Sequence, residues 1–194
     1  VQPTLEPITV AEALLHCRCD SNNEEAWFES TIATARHWIE DRCNMTLLTT
    51  TWQLTLDRFP CRTTASAYDR DRIELPRCPV QSVSSIAYVD EDGTTQTFAA
   101  ASYSLDNAGD TDASVGRIYD GEWPDVRDQR NAVTVTYIAG YTLPGNVPPQ
   151  FRHAIKLLVG HWYENREASL VGTISKEIEF SVLALVDPSN LSTL

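Results

Sequence analysis

Residues 51–57 read Thr51-Trp52-Gln53-Leu54-Thr55-Leu56-Asp57, and apolar and polar side chains alternate along them. A period of two predicts a half-buried β-strand. The residues before this segment have helical periodicity instead. The change of period near Thr49 therefore separates a helical N-terminal region from a β-rich region.

The N-terminal region predicts two helices. Thr9 and Glu12 fit a capping box at the start of the first helix, and Ser21 and Glu24 fit a second box before the next. The second helix is expected to end near Cys43, and it carries an apolar stripe at helical spacing. The residues of this stripe are Phe28, Ile32, Ala35 and Ile39. Because the polar link between the helices is short, we expect an αα-hairpin.

The region after Asp57 predicts a series of short strands separated by polar turns. The expected strands cover residues 73–75, 83–89, 95–98, 103–105, 117–119 and 132–137. The sequence Asp90-Glu91-Asp92-Gly93 predicts a hairpin turn in which Gly93 takes a positive φ. The polar residues 62–72 are expected to form a loop. Short strands at this spacing indicate an antiparallel β-sandwich or barrel.

Helical periodicity returns after Pro148-Pro149 and is expected to end near Glu167, because proline suits the first turn of a helix. The predicted fold class is therefore α+β. It is a small helical bundle of two N-terminal helices and one long C-terminal helix, with an inserted antiparallel β-sandwich or barrel module and a C-terminal extension. The expected boundaries are 1–50 for the helical hairpin, 51–145 for the β-rich module, 146–168 for the helix that completes the bundle, and 169–194 for the tail.

The tail is apolar for the end of a chain. A segment of this kind packs either on its own core or on a partner. We favour a docking arm, because the alternation around Phe180 suits strand addition to a neighbouring sheet edge. The residues expected to dock are Ile178, Phe180, Val182, Leu183, Leu185 and Val186.

Charge and composition limit the classes of partner. The formal net charge is -12, so ordinary binding to nucleic acid is disfavoured. Such a surface keeps a protein in solution, and it would also let DNA pass without adhesion. No apolar run approaches the length of a membrane span, so we expect no membrane partner. The five cysteines form no CxxC pair, which is typical of free thiols in a reducing compartment.

The sequence has no set of side chains with the spacing of a catalytic, metal or cofactor site. His161 and Glu164 could ligate a metal, but no second His–Glu pair accompanies them. The acidic residues from Asp106 to Asp112 resemble a calcium loop in composition but lack its final glutamate. No phosphate-binding loop or nucleophile elbow is present. We therefore expect a protein that is not an enzyme and that uses no metal or cofactor.

Amphipathic aromatic residues cluster at the end of the last helix. Tryptophan, tyrosine and arginine are enriched in the centres of protein interfaces. A core tryptophan beside a charged helix end is an equally good interpretation of the same residues. The residues that we place at an interface between subunits are Trp38, Trp162, Tyr163 and Arg166.

Several segments, taken in their order along the chain, resemble one family. They are residues 8–13, 20–25, 51–57, 73–76, 79–83, 116–118, 123–124, 131–137, 139–141 and 147–167. The strongest stretch begins at Val147-Pro148-Pro149 and includes residues 158–167. In this order the segments resemble the head–tail connector (adaptor) proteins of tailed bacteriophages and prophages. The chain departs from the family in its extra cysteines and in the long polar stretch 62–72.

The resemblance implies a structural role in the virion, at the junction of head and tail, after assembly in the host cytoplasm. The implied assembly is a ring, usually dodecameric, beneath the portal protein and above a stopper or tail-completion protein. DNA would pass through the channel of the ring without sequence-specific binding. The helical bundle would form the ring wall, and the C-terminal segment would reach towards the portal.

An alternative from another class is a small β-rich ligand- or carbohydrate-binding module of a virion. It rests on the predicted strands and on the content of tryptophan and tyrosine. A pocket with converging polar groups would favour this module, whereas an aromatic patch on the helices would favour the connector. A metal-dependent hydrolase is a third hypothesis, and the lack of clustered ligands argues against it.

Overall fold

The structure is a computed structural model that describes residues 3–20, 22–60, 71–107, 109–166, 182–183 and 185–186. Within these ranges the helices are α1 (Val10–Cys17), α2 (Glu25–Cys43) and α3 (Pro149–Glu164). The strands are β1 (Thr50–Leu56), β2 (Arg72–Glu74), β3 (Val80–Val89), β4 (Thr95–Phe98), β5 (Tyr103–Asp106), β6 (Ser114–Arg117) and β7 (Val133–Ala139). The α+β fold class predicted from the periodicity is confirmed, and the described strands close no barrel.

The chain divides into two units. The β unit spans Thr49–Gly140, and the helical unit combines Gln2–Leu48 with Tyr141–Leu194. All the described strands belong to the β unit, which is an insertion between α2 and α3. The β unit ends at Gly140, whereas the sequence pattern placed its end at residue 145. The predicted loop 62–72 lies outside the described residues, except for its last two.

The first two helices begin differently. Glu12 N–H donates to Thr9 Oγ1 at 3.1 Å and Thr9 N–H donates to Glu12 Oε2 at 2.9 Å, which confirms the predicted capping box of α1. Before α2, Glu24 makes no side-chain cap bond, and Ser21 lies outside the described residues. The second predicted box therefore stays a prediction, and the carboxylate of Glu24 pairs with Arg166.

The core of the helical unit lies between the facing sides of α2 and α3. The apolar stripe predicted for α2 is fully buried, and α2 ends at Cys43 as expected. Helix α3 ends at Glu164, before the predicted Glu167. Its buried residues are Phe151, Ala154, Ile155, Leu158 and Val159. Burial of large apolar side chains on both helices is the main force that holds them together.

A charged network lies buried against this core. Arg36 Nη1 donates to Glu40 Oε2 at 2.7 Å, and Arg36 Nε donates to Glu6 Oε2 at 2.8 Å. The other oxygen of Glu40 accepts from Leu47 N–H at 2.8 Å. Burial disfavours the charge on Arg36, but the two carboxylates outweigh it and raise the pKa of this guanidinium. The network fixes the loop after α2 to the body of that helix.

The β unit contains two antiparallel sheets. One has the strand order β1-β7-β3-β4 and the other has the order β2-β6-β5. Strand β1 alternates between half-buried and exposed residues, and Trp52 and Leu54 pair with Tyr137 and Val135 of β7. The alternation that predicted this strand is thus confirmed. Its half-buried side chains pack on the core of the β unit.

Two turns in the β unit test the sequence interpretation. The predicted hairpin turn after β3 is present, with Gly93 at φ +87° and its N–H donating to Asp90 O at 2.9 Å. The predicted strand 117–119 is wrong, because the strand ends at Arg117. Asp120 has a left-handed φ of +60°, and Gly121 N–H donates to Ile118 O at 3.0 Å, so the chain turns.

Hydrogen bonds hold the two ends of the insertion close together, and each unit has its own set of these bonds. In the helical unit, Leu48 and Tyr141 form an isolated parallel bridge, and Tyr141 N–H donates to Leu47 O at 3.3 Å. In the β unit, Gln81 Nε2 donates to Thr49 Oγ1 at 2.9 Å and to Gly140 O at 2.6 Å. The chain therefore enters and leaves the insertion at adjacent points. None of the helices in the described ranges has the length and apolarity of a membrane span.

Candidate assembly surface

An open groove lies on the helical unit, along α2 and the end of α3. Its volume is about 330 Å³, and it is lined by Trp27, Ser30, Thr31, Thr34, Trp162, Asn165 and Arg166. The α2 residues Trp27, Thr31 and Thr34 follow one another at intervals of four and three, which places them on one face of the helix. Two indole rings thus stand in a groove whose other lining groups are polar.

Several polar side chains of the groove donate hydrogen bonds to backbone carbonyls of the same chain. Ser30 Oγ donates to Trp27 O at 2.9 Å, and Thr34 Oγ1 donates to Ser30 O at 2.8 Å. Asn165 Nδ2 donates to His161 O at 3.0 Å. A hydroxyl oxygen or an amide oxygen keeps lone pairs after such bonds. The groove therefore contains acceptor oxygens of these side chains beside the N–H donors of its two indoles and of Arg166.

Beside the groove, aromatic rings and one ion pair join α2 to the end of α3. The Tyr163 ring stacks on Phe28 with centroids 5.3 Å apart and meets Trp27 edge-on at 5.6 Å. The Arg166 guanidinium lies over both half-buried rings, 4.9 Å from the Trp27 centroid and 4.8 Å from that of Tyr163. Arg166 Nη1 also lies 2.8 Å from Glu24 Oε1. Stacked rings and cation–π contacts make this cluster a rigid border of the groove.

The electrostatics of this border keep the ion pair charged. The hydrogen bond that Glu24 accepts from Arg166 lowers the pKa of Glu24, and the same bond raises the pKa of Arg166. A side-chain hydrogen bond with Cys19, helped by desolvation and by the charge of Glu24, raises the pKa of Tyr163 to about 12. At neutral pH the border therefore consists of a neutral phenol and a complete salt bridge.

The structure separates the four residues that the sequence placed at a subunit interface. Trp162 and Arg166 line the groove, whereas Tyr163 belongs mainly to the aromatic cluster with Phe28. Trp38 is half-buried against the helical core and does not line the groove. Their role at an interface stays a prediction. The sequence interpretation missed Trp27, although its spacing to Thr31, Thr34 and Trp38 on α2 is a signal for a shared face.

The described part of the tail packs on the helical unit. Val182 and Val186 are fully buried in its core, and Leu183 and Leu185 are half-buried against it. These residues have helical backbone, so the strand predicted from the alternation does not extend to Val182. Ile178 and Phe180 lie outside the described residues. The portal-docking role of the six residues stays a prediction. The burial of the two valines agrees with the alternative, in which the tail packs on the core of its own chain.

Side chains that could carry chemistry are dispersed. In the described ranges, no group of three or more His, Cys, Asp or Glu side chains could hold a metal ion. His161 Nδ1 lies 3.1 Å from Asn165 Nδ2, so a polar neighbour already occupies that side of the ring. Burial raises the pKa of the Cys78 thiol to about 11, and the nearby Asp112 and Asp110 act in the same direction. This thiol is therefore protonated and unreactive at neutral pH.

Comparison with known proteins gives matches among solved structures alone. Neither the models of known protein families nor the curated proteins match the chain. The chain is similar to one in the neck of an empty GTA particle computed with C6 symmetry, with a TM-score of 0.76 and 23% identity over 100% of this chain and 96% of that one. A chain of the virion of a native gene transfer agent (GTA) particle matches with a TM-score of 0.76 and 23% identity, covering 97% of this chain and 91% of that one. A chain in the neck of a native GTA particle computed with C12 symmetry matches with a TM-score of 0.67 and 20% identity, covering 95% and 89%. The chain therefore shares its fold, over nearly its whole length, with chains of gene transfer agent particles.

Proposed function

We propose that the chain is a structural subunit of the neck of a phage-like particle. The observation that carries this proposal is the fold match to a neck chain over 100% of this chain and 96% of the other, with a TM-score of 0.76. A match of this extent includes both the helical unit and the inserted β unit. Because a fold can serve several functions, the arrangement of the surface residues has to support the same role.

Within the neck, the proposed role is that of a head–tail connector (adaptor). Copies of the chain form a ring, with twelve subunits as the expected number, between the portal protein and a stopper or tail-completion protein. The C6 and C12 symmetries of the neck structures with this fold support a cyclic arrangement. The site of action is the virion, and assembly takes place in the host cytoplasm.

The α2/α3 groove supports lateral association of the subunits. Trp162 and Arg166 line it, and Trp27 widens the aromatic surface. Partly exposed tryptophan and arginine are the residue types that dominate binding energy at protein interfaces. Tyr163 and Trp38 contribute indirectly, because they hold α2 and α3 in place from the core side. We therefore place the ring contact at Trp162 and Arg166 first.

The charge of the chain suits a channel for DNA. A formal net charge of -12 repels phosphate groups, so DNA can pass the ring without sequence-specific binding and without adhesion. The contact with the portal is assigned to the tail. Leu183 and Leu185, which are half-buried, can serve in this contact directly, whereas Val182 and Val186 have to leave their own core first.

The alternative function, a β-rich ligand- or carbohydrate-binding module, would place its site on the strands. The groove with its two tryptophans lies on the helical unit instead. This location favours the connector over the ligand-binding module.

The experiment that tests the proposal is reconstitution with the cognate portal protein. The full chain is mixed with portal rings, and the product is viewed by electron microscopy. We expect an added ring of density below the portal with twelvefold symmetry, and a weaker or absent ring with Trp162→Ala. A chain that does not bind the portal, or that binds it without forming a ring, would contradict the proposal.

A further inference from the structure

The β unit presents a fully exposed aromatic side chain at the tip of a tight turn. Tyr119 is 100% exposed, and the neighbouring Ile118 is 45% exposed. The turn is closed by the bond from Gly121 N–H to Ile118 O, and a Cβ at Gly121 would lie 3.2 Å from that oxygen. A large aromatic residue in such a position adds nothing to the core of its own unit. Aromatic residues of this kind are typical anchors of protein–protein contacts.

The base of this turn is braced on both sides. Arg117 pairs with the Asp71 carboxylate and donates to Gly121 O. Trp123 Nε1 donates to Asp71 Oδ1 at 3.2 Å, and the Trp123 ring stacks on the buried Phe59 with centroids 4.8 Å apart. Asp71 thus connects both arms of the turn to the core of the β unit. A side chain held on a rigid turn loses little conformational entropy when it binds a partner.

We propose that Tyr119 of one copy of the chain inserts into the α2/α3 groove of a neighbouring copy. This inference rests on the proposed function, since it names the partner of the groove within the ring. The groove has a volume of about 330 Å³, which is near the lower end of the range for ligand pockets and suits one or two side chains.

The chemistry of the two surfaces is complementary. The groove presents two indole rings and the remaining lone pairs of Ser30, Thr34 and Asn165. A tyrosine supplies a flat apolar body and one hydroxyl donor at its tip.

The contact is of the kind that builds a ring. The turn and the groove are different surfaces, so each copy uses its own turn on one neighbour and its own groove on the other. Such head-to-tail contacts close into cyclic rings when the rotation between copies divides a full circle. A contact between two identical surfaces would stop at a dimer.

The direct test is site-specific photo-cross-linking from position 119. A copy that carries a benzophenone amino acid in place of Tyr119 is mixed with isotope-labelled wild-type chain on the cognate portal and irradiated. We expect covalent links from unlabelled position 119 to labelled peptides that contain Trp27 to Thr34 or Trp162 to Arg166. The matched control carries the same amino acid at Leu15, which is also exposed, on α1. Links from position 119 to other peptides, or no link between copies, would overturn the inference.

Two substitutions give an independent measure. Tyr119→Ala is expected to raise the subunit concentration needed for half-maximal assembly about thirtyfold, which is the size of effect found for interface anchors. Tyr119→Phe removes the donor alone and is expected to raise it about fivefold. Leu15→Ala serves as the control and should change it less than twofold. An unchanged concentration for Tyr119→Ala would also overturn the inference.

The outcomes separate this inference from the proposed function. If wild-type rings form on the portal but position 119 does not reach the groove, the chain is still a connector and only the turn is assigned wrongly. If no rings form at all, the proposed function fails and the inference fails with it.

Discussion

Arg166 and Glu24 form a two-pronged ion pair in which Nη1 lies 2.8 Å from Oε1 and Nη2 lies 2.8 Å from Oε2. The pair joins the residue before α2 to the chain just after α3, which are far apart in the sequence. It also holds the guanidinium above the rings of Trp27 and Tyr163. The border of the groove therefore depends on one carboxylate, and its stability should depend on pH.

Glu24→Gln is expected to lower the melting temperature slightly at neutral pH. Because the folded-state pKa of Glu24 is lowered below 4.5, the pair stabilises the fold above that pH, and the stabilisation is lost as the pH falls through the folded pKa. Thermal unfolding of the wild type and the variant, at neutral pH and well below pH 4.5, measures this. A difference in melting temperature that stays the same in acid would contradict the assignment.

Trp162→Ala and Tyr163→Ala are expected to have different effects, although the two residues are adjacent. Tyr163 stacks on the buried Phe28, so its removal should lower the free energy of unfolding by roughly 2 kcal/mol. Trp162 lines the groove and packs only partly on the core, so its removal should destabilise the fold less than that of Tyr163 and should weaken ring formation. Chemical denaturation and electron microscopy of portal mixtures measure the two effects. Equal destabilisation by both variants would place Trp162 in the core.

Glu40→Ala is expected to lower the free energy of unfolding by about 3–5 kcal/mol, because it leaves the buried Arg36 with less compensation. It also removes the acceptor for Leu47 N–H. Glu40→Gln should cost less, since its side-chain oxygen can still accept that bond. Glu29→Ala is the matched control on the exposed face of α2 and should change stability by less than about 0.5 kcal/mol. Urea denaturation of the three variants gives these values, and a Glu40→Ala variant as stable as the control would show that the network is dispensable.

Val182→Ala is expected to lower the free energy of unfolding by about 1–2 kcal/mol, because two buried methyl groups are lost from the helical core. Truncation after Ala168 removes Val182 and Val186 together and should lower the melting temperature clearly. The same truncation should weaken attachment to the portal if the tail also docks there. A truncated chain that melts like the full chain would show that the two valines contribute no core energy, and undiminished binding to the portal would exclude the docking role.

Local interactions made some elements predictable from the sequence. The capping box of Thr9 and Glu12 involves residues three apart, and the stripe on α2 depends on spacing within one helix. The same local rules failed at Ile118 and Tyr119. These residue types favour strands, but the chain turns there because Asp120 takes a left-handed φ and Arg117 is bound by the distant Asp71.

The candidate site was predictable only in part. Trp162 and Arg166 stood out as interface residues from their types and position, whereas the groove itself requires α2 and α3 to lie side by side. Its polar side chains, Ser30, Thr31 and Thr34, are ordinary residues of a helix surface. The pairing of Glu24 with Arg166 joins residues 142 positions apart, which no local pattern encodes.

The parallel bridge between Leu48 and Tyr141 has a consequence for how such a chain can be rebuilt. Bridged backbones lie about 5 Å apart, so a linker of two or three glycines could replace the whole of Thr49–Gly140 without stretching the helical unit. The same closeness lets a foreign domain with adjacent termini be grafted at this point. Exchange of the inserted unit for another would therefore remove Tyr119 and its turn while the groove of the helical unit keeps its own residues.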